Sequence, residues 1–411
     1  MDWQPRMDTD EHECRRLANG RSDRLRILAV VPAPYVFGLQ VVTLDFFSRL
    51  KQWADCHFLI TRWSDGEFRR RLEAMEIPYT AAWMGMFSRK LDAHNLKMTL
   101  ECAYKTPGLF LTFGRLVRRF RPNVIYTANH HELILLYPLL RMLRIPVVCH
   151  MHDPPPNIPF QRASFRIWSR PVTQFVAIAE NVRDRLLRFP LESKRVTVLH
   201  NGIDLTRFPQ RDRRDGRFLR EFGWPEDAFV AGIAGQMHDR KGHLDLLEAL
   251  NQLRVRVPTL RVVIGGKQEG AYFERLRTFA VKKNLSDRVG FCGWMDHARE
   301  FYEGVDAFVL ASRHEEGFGL VLAEAMAVGV PVVATRSGGA VNVVEDGVSG
   351  LLVDRCAPSE IAEALFRLHA DASLRASLVA RGLQRVQLDF NLDRQAEKLL
   401  AVLKETAGTG C

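Results

Sequence analysis

Twelve short runs of β-forming, mostly apolar residues recur along this 411-residue chain, each followed by an amphipathic stretch long enough for a helix. In the first half they are Leu25–Val31, His57–Ile60, Val124–Tyr126, Pro146–His150, Phe175–Ile178 and Val196–Leu199. After residue 210 the pattern restarts with Phe229–Ala234, Arg261–Ile264, Arg288–Phe291, Ala307–Leu310, Pro331–Ala334 and Leu351–Val353. Runs such as Val262-Val263-Ile264 are apolar on both faces, as parallel strands between two helix layers must be. Such alternation predicts α/β units with right-handed crossovers. Two sets, in a chain too long for one ordinary core, predict two Rossmann-like, doubly wound domains.

The break is expected between Asp204 and Gly216, where residues 210–217 read QRDRRDGR and offer nothing to a core. The expected division is a loosely held tail over 1–24, a first domain over 25–205 and a second over 206–385. A helical end over 386–411 is expected to pack back on the first domain.

Charge is unevenly placed. Residues 1–205 hold 30 Lys and Arg against 20 Asp and Glu, so the net +10 lies wholly in the first half. Arg69-Arg70-Arg71 and the group Arg115, Arg118, Arg119, Arg121 are its clusters. A solvated helix face accounts for them as readily as contact with anionic lipid headgroups or an anionic acceptor. No aromatic-interleaved basic stripe points to nucleic acid. No run reaches the ~18 apolar residues of a membrane span, and the first 24 residues lack the apolar centre of a secretory signal. Seven irregularly spaced cysteines without a C-x-x-C pair suit a reducing compartment and no zinc site. The expected location is the cytoplasm, with the basic half at the inner face of the membrane.

The stretch His314 to Gly350 concentrates the chemistry. Glu316-Gly317-Phe318-Gly319 follows a strand and opens the helix beginning at Leu320, so its free backbone N–H groups form an anion site. Glycine at 317 and 319 allows close approach by a phosphate. Glu324 is expected to face the same crevice, where a carboxylate can accept both hydroxyls of a ribose. Ser337-Gly338-Gly339 ends the next strand and is expected to offer a second set of amides.

These residues resemble the retaining glycosyltransferases of the GT-B fold, specifically family 4, whose hallmark is E-G-F-G-x-x-x-x-E-A-M-A. The match runs through Glu316, Gly317, Phe318, Gly319, Glu324, Ala325, Met326 and Ala327, with Gly329 and Pro331 beyond. The resemblance implies that Glu316 lies over the reacting sugar, that Glu324 holds the donor ribose, and that the amides from Gly317 to Leu320 contact phosphate and sugar. The run from Gly235 to Gly242 (GQMHDRKG) is similar to the family's G-R-x-x-x-x-K-G loop, which grips the donor diphosphate. Lys241 is in register. Gln236 stands where Arg is usual and replaces a charge-assisted contact by a weaker one, with Arg240 or Arg313 as compensating candidates. Trp294 and Met295 fall where the family's backbone meets the base, and Trp294 can serve either packing or stacking. The Glu common after the glycine pair is here Asn342.

In the first half only Gly38 survives of the family's Gly-Gly turn. His152-Asp153 resembles the His-Asp pair beside the reacting sugar. His150 and His152, two apart on a strand, also admit a metal reading, but no third ligand is evident and the family is metal-independent. His130-His131 has a similar edge position, lining the acceptor side or capping a helix. Asn201-Gly202-Ile203-Asp204 resembles the family's N-G-[IV]-D signature and reads as turn chemistry.

The implied activity is hexose transfer, with retention, from a UDP- or GDP-sugar to a hydroxyl of a glycan or lipid-linked acceptor in cell-envelope polysaccharide or glycoconjugate synthesis. His152, Lys241 and Glu316 would be the catalytic set, with no cofactor or metal. The alternatives are a nucleotide-sugar epimerase on the same scaffold and a non-catalytic nucleotide-sugar-binding protein.

Overall fold

The computed structural model describes residues 24–85, 93–153, 159–295 and 297–408, with backbone alone for 93–99 and 159–163. The tail expected over 1–24 lies outside the described residues except for Arg24. The first domain runs β1 (Leu25–Val31), α1 (Gly38–Leu50), β2 (Ala54–Thr61), α2 (Glu67–Ala74), β3 (Tyr79–Ala82), α3 (Ala93–Phe120) and β4 (Val124–Thr127). It continues through α4 (His131–Leu143), β5 (Val147–Met151), α5 (Pro159–Trp168), β6 (Gln174–Ala177), α6 (Glu180–Leu186) and β7 (Val196–Val198). The second runs α7 (Arg217–Phe222), β8 (Phe229–Ala234), α8 (His243–Leu253), β9 (Leu260–Gly265), α9 (Gly270–Lys282), β10 (Val289–Gly293) and α10 (Ala298–Glu303). Then come β11 (Ala307–Leu310), α11 (Leu320–Val328), β12 (Val332–Thr335), α12 (Ala340–Val343) and β13 (Leu351–Val353). Three helices follow: α13 (Pro358–Ala370), α14 (Ala372–Asp389) and α15 (Leu392–Gly408).

All strand pairs are parallel, in the orders β3-β2-β1-β4-β5-β6-β7 and β10-β9-β8-β11-β12-β13. This is the α/β architecture expected, and all twelve apolar runs form strands. The strand not anticipated is β3, whose sequence Tyr-Thr-Ala-Ala is short, half-buried and at a sheet edge, and so lacks an all-apolar signature.

Handedness fixes the helix layers. Growth from β1 to β3 runs one way and from β4 to β7 the other, so right-handed crossovers put α1 and α2 on one face and α3 to α6 on the other. The cores follow this division: Phe46, Phe47 and Phe68 pack on one side, Leu109, Phe113, Leu136 and Phe165 on the other.

Helix α15 joins the first-domain core. Its Leu392, Ala396, Leu399, Leu400 and Leu403 are buried with Phe46, Phe47 and Tyr126. Two backbone bonds hold its start, Ile203 N–H to the Phe390 carbonyl at 2.6 Å and Leu392 N–H to the Ile203 carbonyl at 3.1 Å. A Cβ at Gly202 would come within 2.6 Å of Leu392 Cα, which explains glycine there. Asp204 pairs with Arg49 of α1 at 3.2 Å, and the same guanidinium reaches Asp393 at 2.8 Å. The N-G-I-D segment is thus a docking point for the C-terminal helix.

The linker is less loose than its composition suggests. One nitrogen of Arg211 donates to the carbonyls of Tyr302, Glu303 and Val305 at 2.7–3.0 Å, and Arg214 pairs with Asp306. These half-buried arginines lash residues 211–214 to the end of α10 and the start of β11.

Leu399 is fully buried at this junction. Leu399→Ala should lower unfolding free energy by about 2–5 kcal/mol, read as a fall in the urea midpoint.

Candidate functional site

Both sheets reverse their direction of growth at the centre, between β1 and β4 and between β8 and β11. Loops leaving the carboxyl ends of such neighbours diverge and open a crevice, the usual ligand site of open α/β sheets. Residues at the carboxyl ends of β5 and β6, His152 and Asn181, meet the Glu316–Gly319 turn that follows β11.

On the second-domain side, the loop after β8 turns through Asp239–Lys241 and ends at Gly242, whose φ is +69°. A Cβ on Gly242 would lie 1.9 Å from the Ala311 carbonyl oxygen, so the loop presses against the end of β11 as only glycine allows. That contact sets Lys241 beside Glu316: Nζ donates to Oε1 at 2.8 Å. The Ser312 hydroxyl donates to the same oxygen. Both residues of the ion pair are partly exposed to the cleft.

The Glu316–Gly319 turn is built on close backbone packing. Gly319 has φ +95° where it opens α11. A Cβ at Gly339 would come within 2.3 Å of the Gly317 carbonyl, and one at Gly338 within 2.1 Å of the Glu316 carbonyl. The Gly339 N–H donates to the Glu316 carbonyl at 2.8 Å. This corrects the expectation of a second set of free amides: the Gly338-Gly339 turn buttresses the first loop, and its Gly339 amide is already engaged. The Phe318 side chain is buried against His200 and Phe390, so it contributes only backbone to the turn. Leu320 packs on the cores of both domains.

Glu324 has a different neighbourhood from Glu316. The Tyr302 hydroxyl donates to its Oε2 at 2.7 Å, and burial pushes its carboxyl up to about 7. Arg207 pulls that value down and Asp45 pushes it up, so Glu324 looks across to the Asp45–Arg207 pair of 2.7 Å.

The other candidates separate clearly. Gln236 and Arg240 are exposed, and their side chains make no hydrogen bond among the described residues. Arg313 is corrected as a phosphate candidate: it forks onto Asp245 at 2.6 and 2.8 Å and reaches Asp239 at 3.2 Å. These partners raise its pKa further and commit it to holding the loop. The Trp294 ring is 59% exposed with no aromatic neighbour among the described residues. Met295 is half-buried near Cys292 Sγ at 3.9 Å. Gly38 opens α1 in free space, where nothing requires glycine; beside it Tyr35 and Phe37 are half exposed with ring centroids 6.2 Å apart.

From the first domain His152 reaches the Glu316–Gly319 turn through its backbone. A Cβ on Gly317 would lie 2.6 Å from the His152 carbonyl oxygen. The His152 ring is buried with Nε2 unpartnered among the described residues, and burial lowers its pKa to about 3. It lies 4.5 Å from the His150 ring, whose Nδ1 is 2.8 Å from the Tyr126 hydroxyl. The described residues contain no cluster of three metal-ligating groups. Loss of water raises the Asp153 carboxyl, with Arg240 pulling it down and Glu316 adding repulsion. His130 opens α4 without a side-chain cap bond and stacks on Trp168 at 5.0 Å.

Sequence reasoning missed Asn181, at the start of α6, whose Nδ2 donates across the cleft to the Glu316 carbonyl at 3.1 Å. It also missed Ser312 and Tyr302. Only the two carboxylates they serve carried a sequence signal, and none marked these partners.

The two domains match two family models, "Glycosyltransferase Family 4" over residues 36–207 and "Glycosyl transferases group 1" over residues 216–385. The chain belongs to glycosyltransferase family 4. Among relatives of this family-4 chain, a D-inositol 3-phosphate glycosyltransferase of Salinispora arenicola is 36% identical over 235 residues, 54% of this chain and 52% of that protein. The lipopolysaccharide core biosynthesis glycosyltransferase LpsE of Rhizobium meliloti is 36% identical over 179 residues, 44% of this chain and 51% of that protein. The alignments thus span about half the length of these relatives. Anabaena HepE, solved in complex with UDP and glucose, superposes with a TM-score of 0.78 at 20% identity, over 93% of this chain and 100% of that one. A glycosyltransferase from Rickettsia africae gives 0.80 at 18% identity, over 94% and 99%. The family-4 chain therefore has the GT-B fold.

Gly317→Ala should push the domains apart while leaving each folded, seen as a larger radius of gyration in solution scattering. Burial lifts the Glu132 carboxyl to about 8, and its Oε2 has no partner among the described residues. The fold keeps that proton where the unfolded chain releases it near 4.5, so this stability is full below 4.5 and is lost as pH rises through 8. Glu132→Gln should raise Tm by about 2–4 °C at pH 8.5 and leave it unchanged at pH 4.5.

Proposed function

We propose that the chain is a retaining hexosyltransferase that uses a nucleoside diphosphate sugar, with UDP-sugar as the first donor to test. The observation that carries this is the Lys241–Glu316 pair at the mouth of the Glu316–Gly319 turn, beneath His152 and Asp153 of the other domain. Glu316 balances the Lys241 charge. An incoming diphosphate takes Lys241 as its partner, with Gln236 and Arg240 free to add donors, and releases Glu316 toward the sugar hydroxyls. Glu324 accepts the ribose hydroxyls, and Trp294 and Met295 border the base. In transfer the anomeric carbon–phosphate oxygen bond breaks and a bond from that carbon to the acceptor oxygen forms on the same face. The acceptor proton passes to the departing diphosphate. The protein positions the reactants and stabilises charge through Lys241 and the turn amides, and no cofactor or metal enters the scheme.

The acceptor is a hydroxyl of a glycan or lipid-linked molecule of the cell envelope, a reading supported by likeness to a lipopolysaccharide core transferase. The exposed rings of Tyr35 and Phe37 suit such a partner at the first-domain rim.

The test is release of nucleoside diphosphate across a donor panel with and without acceptor. Glu316→Gln and Lys241→Ala should each lower kcat/KM by about 10²–10³. Full turnover in either variant would remove its residue from the mechanism. Sugar rearrangement without acceptor would point to an epimerase, and donor-induced stabilisation without turnover to a binding protein.

A further inference from the structure

Helices α3, α4 and α5 lie side by side on one face of the first sheet, and their outer surface combines two properties that rarely coincide on a solvated face. Residues 93–170, which contain these helices, hold 11 Lys and Arg against 3 Asp and Glu, a net +8 of the chain's +10. Arg115, Arg118, Arg119, Arg141, Arg144, Arg166 and Arg170 are all exposed, and none forms an ion pair among the described residues. The other basic cluster behaves differently: Arg70 and Arg71 on α2, on the opposite face, are both tied to Glu67 at 2.8 Å.

The same outer surface exposes large apolar side chains. Leu100, Tyr104 and Leu111 of α3 are 62%, 83% and 61% exposed, and Met142 of α4 is 68% exposed; Ile134 of α4 and Ile167 of α5 are exposed as well. Positions 100, 104, 111, 115 and 118 follow helical spacing, so the α3 residues form one stripe about 27 Å long, apolar at one end and basic at the other. At the basic end Arg115 and Arg119 rim a cleft of about 630 Å³, walled by His57, Tyr79, Thr80 and Phe120.

We infer that this α3–α5 face docks on an anionic lipid bilayer, with Tyr104, Leu111 and Met142 entering the headgroup boundary and the arginines meeting lipid phosphates. Unpaired cations alone would suit any polyanion. Exposed Leu, Ile and Met side chains gain nothing from a solvated phosphate backbone, whereas the acyl boundary removes them from water. Docking stands independently of the proposed reaction; that it presents a lipid-linked acceptor to the cleft rests on that reading.

The test uses the full chain and sedimentation with vesicles of phosphatidylcholine alone or with phosphatidylglycerol. Binding should require phosphatidylglycerol and weaken as salt rises. The triple variant Arg115→Gln, Arg118→Gln, Arg119→Gln should weaken it on the order of a hundredfold. Tyr104→Ser with Leu111→Ser should weaken it about tenfold or more. The control triple Arg69→Gln, Arg70→Gln, Arg71→Gln should stay within about threefold of the parent, since that cluster faces away. Absence of binding, equal loss in the control, or no effect of the apolar pair would overturn the inference; the last, with retained oligonucleotide binding, would assign the face to a polyanion. Melting shifts with UDP, measured on the same samples, report fold and donor site. A missing shift in the parent counts against the transferase reading alone, and missing vesicle binding with an intact shift counts against the docking face alone.

Discussion

Strand order reverses twice in this chain, between β1 and β4 and between β8 and β11, and each reversal leaves a crevice that no crossover helix covers. Parallel pairing forces this geometry, because a right-handed crossover places its helix on the face dictated by the direction of growth. The loops bearing Lys241 and Glu316 leave β8 and β11 at one such point. The C-terminal helix then couples the domains: α15 buries Leu399 and Leu403 with Phe46 and Phe47, while Ile203 exchanges backbone bonds at the hinge with Phe390 and Leu392. Together with the Arg211 and Arg214 contacts of the linker, this restricts the approach of one crevice to the other.

Within the cleft, backbone contact does most of the positioning. Gly242 lies on Ala311, Gly339 on Gly317, and Gly317 on His152, each closer than a Cβ would permit. Four loops are therefore stacked by main-chain atoms, whose placement does not depend on side-chain rotamers. Asn181 adds a hydrogen bond from the first domain to the Glu316 carbonyl, which also accepts the Gly339 N–H. The position of Glu316 thus reports the relation of the two domains.

Much of this was legible in the sequence because parallel strands buried on both faces leave an uninterrupted apolar run, as in β9 and β12. Edge strand β3 left no such run. The Glu316–Glu324 motif marked the turn between β11 and α11, since spacing along one chain segment carries its own geometry. Contacts between distant segments carried none. Arg313 was an open candidate for phosphate until its fork onto Asp245, 68 residues away, was visible. The glycine pair at 338–339 read as a second amide nest because its strand-to-helix context was correct, but its use in packing depends on the loop before it. The two arginine clusters looked alike in sequence; only the sheet topology and the Glu67 pairs place them on opposite faces with different electrostatic states.

Under the proposed function, the pairing of Lys241 with Glu316 sets donor selectivity. A half-buried ammonium without a partner would lose hydration without compensation, and the carboxylate supplies that partner at 2.8 Å. A neutral sugar entering alone would have to separate two opposite charges and could replace neither. A ligand carrying a diphosphate offers Lys241 a denser negative charge and the turn amides an anion, so exchange of partners becomes favourable only for the charged ligand. With Gln236 in place of a fixed cation and Arg313 held by Asp245 and Asp239, this exchange rests on fewer charges. In the proposed reaction, selection for a diphosphate-bearing donor thus follows from competition within the site, with Glu316 made available to the sugar once that ligand has arrived.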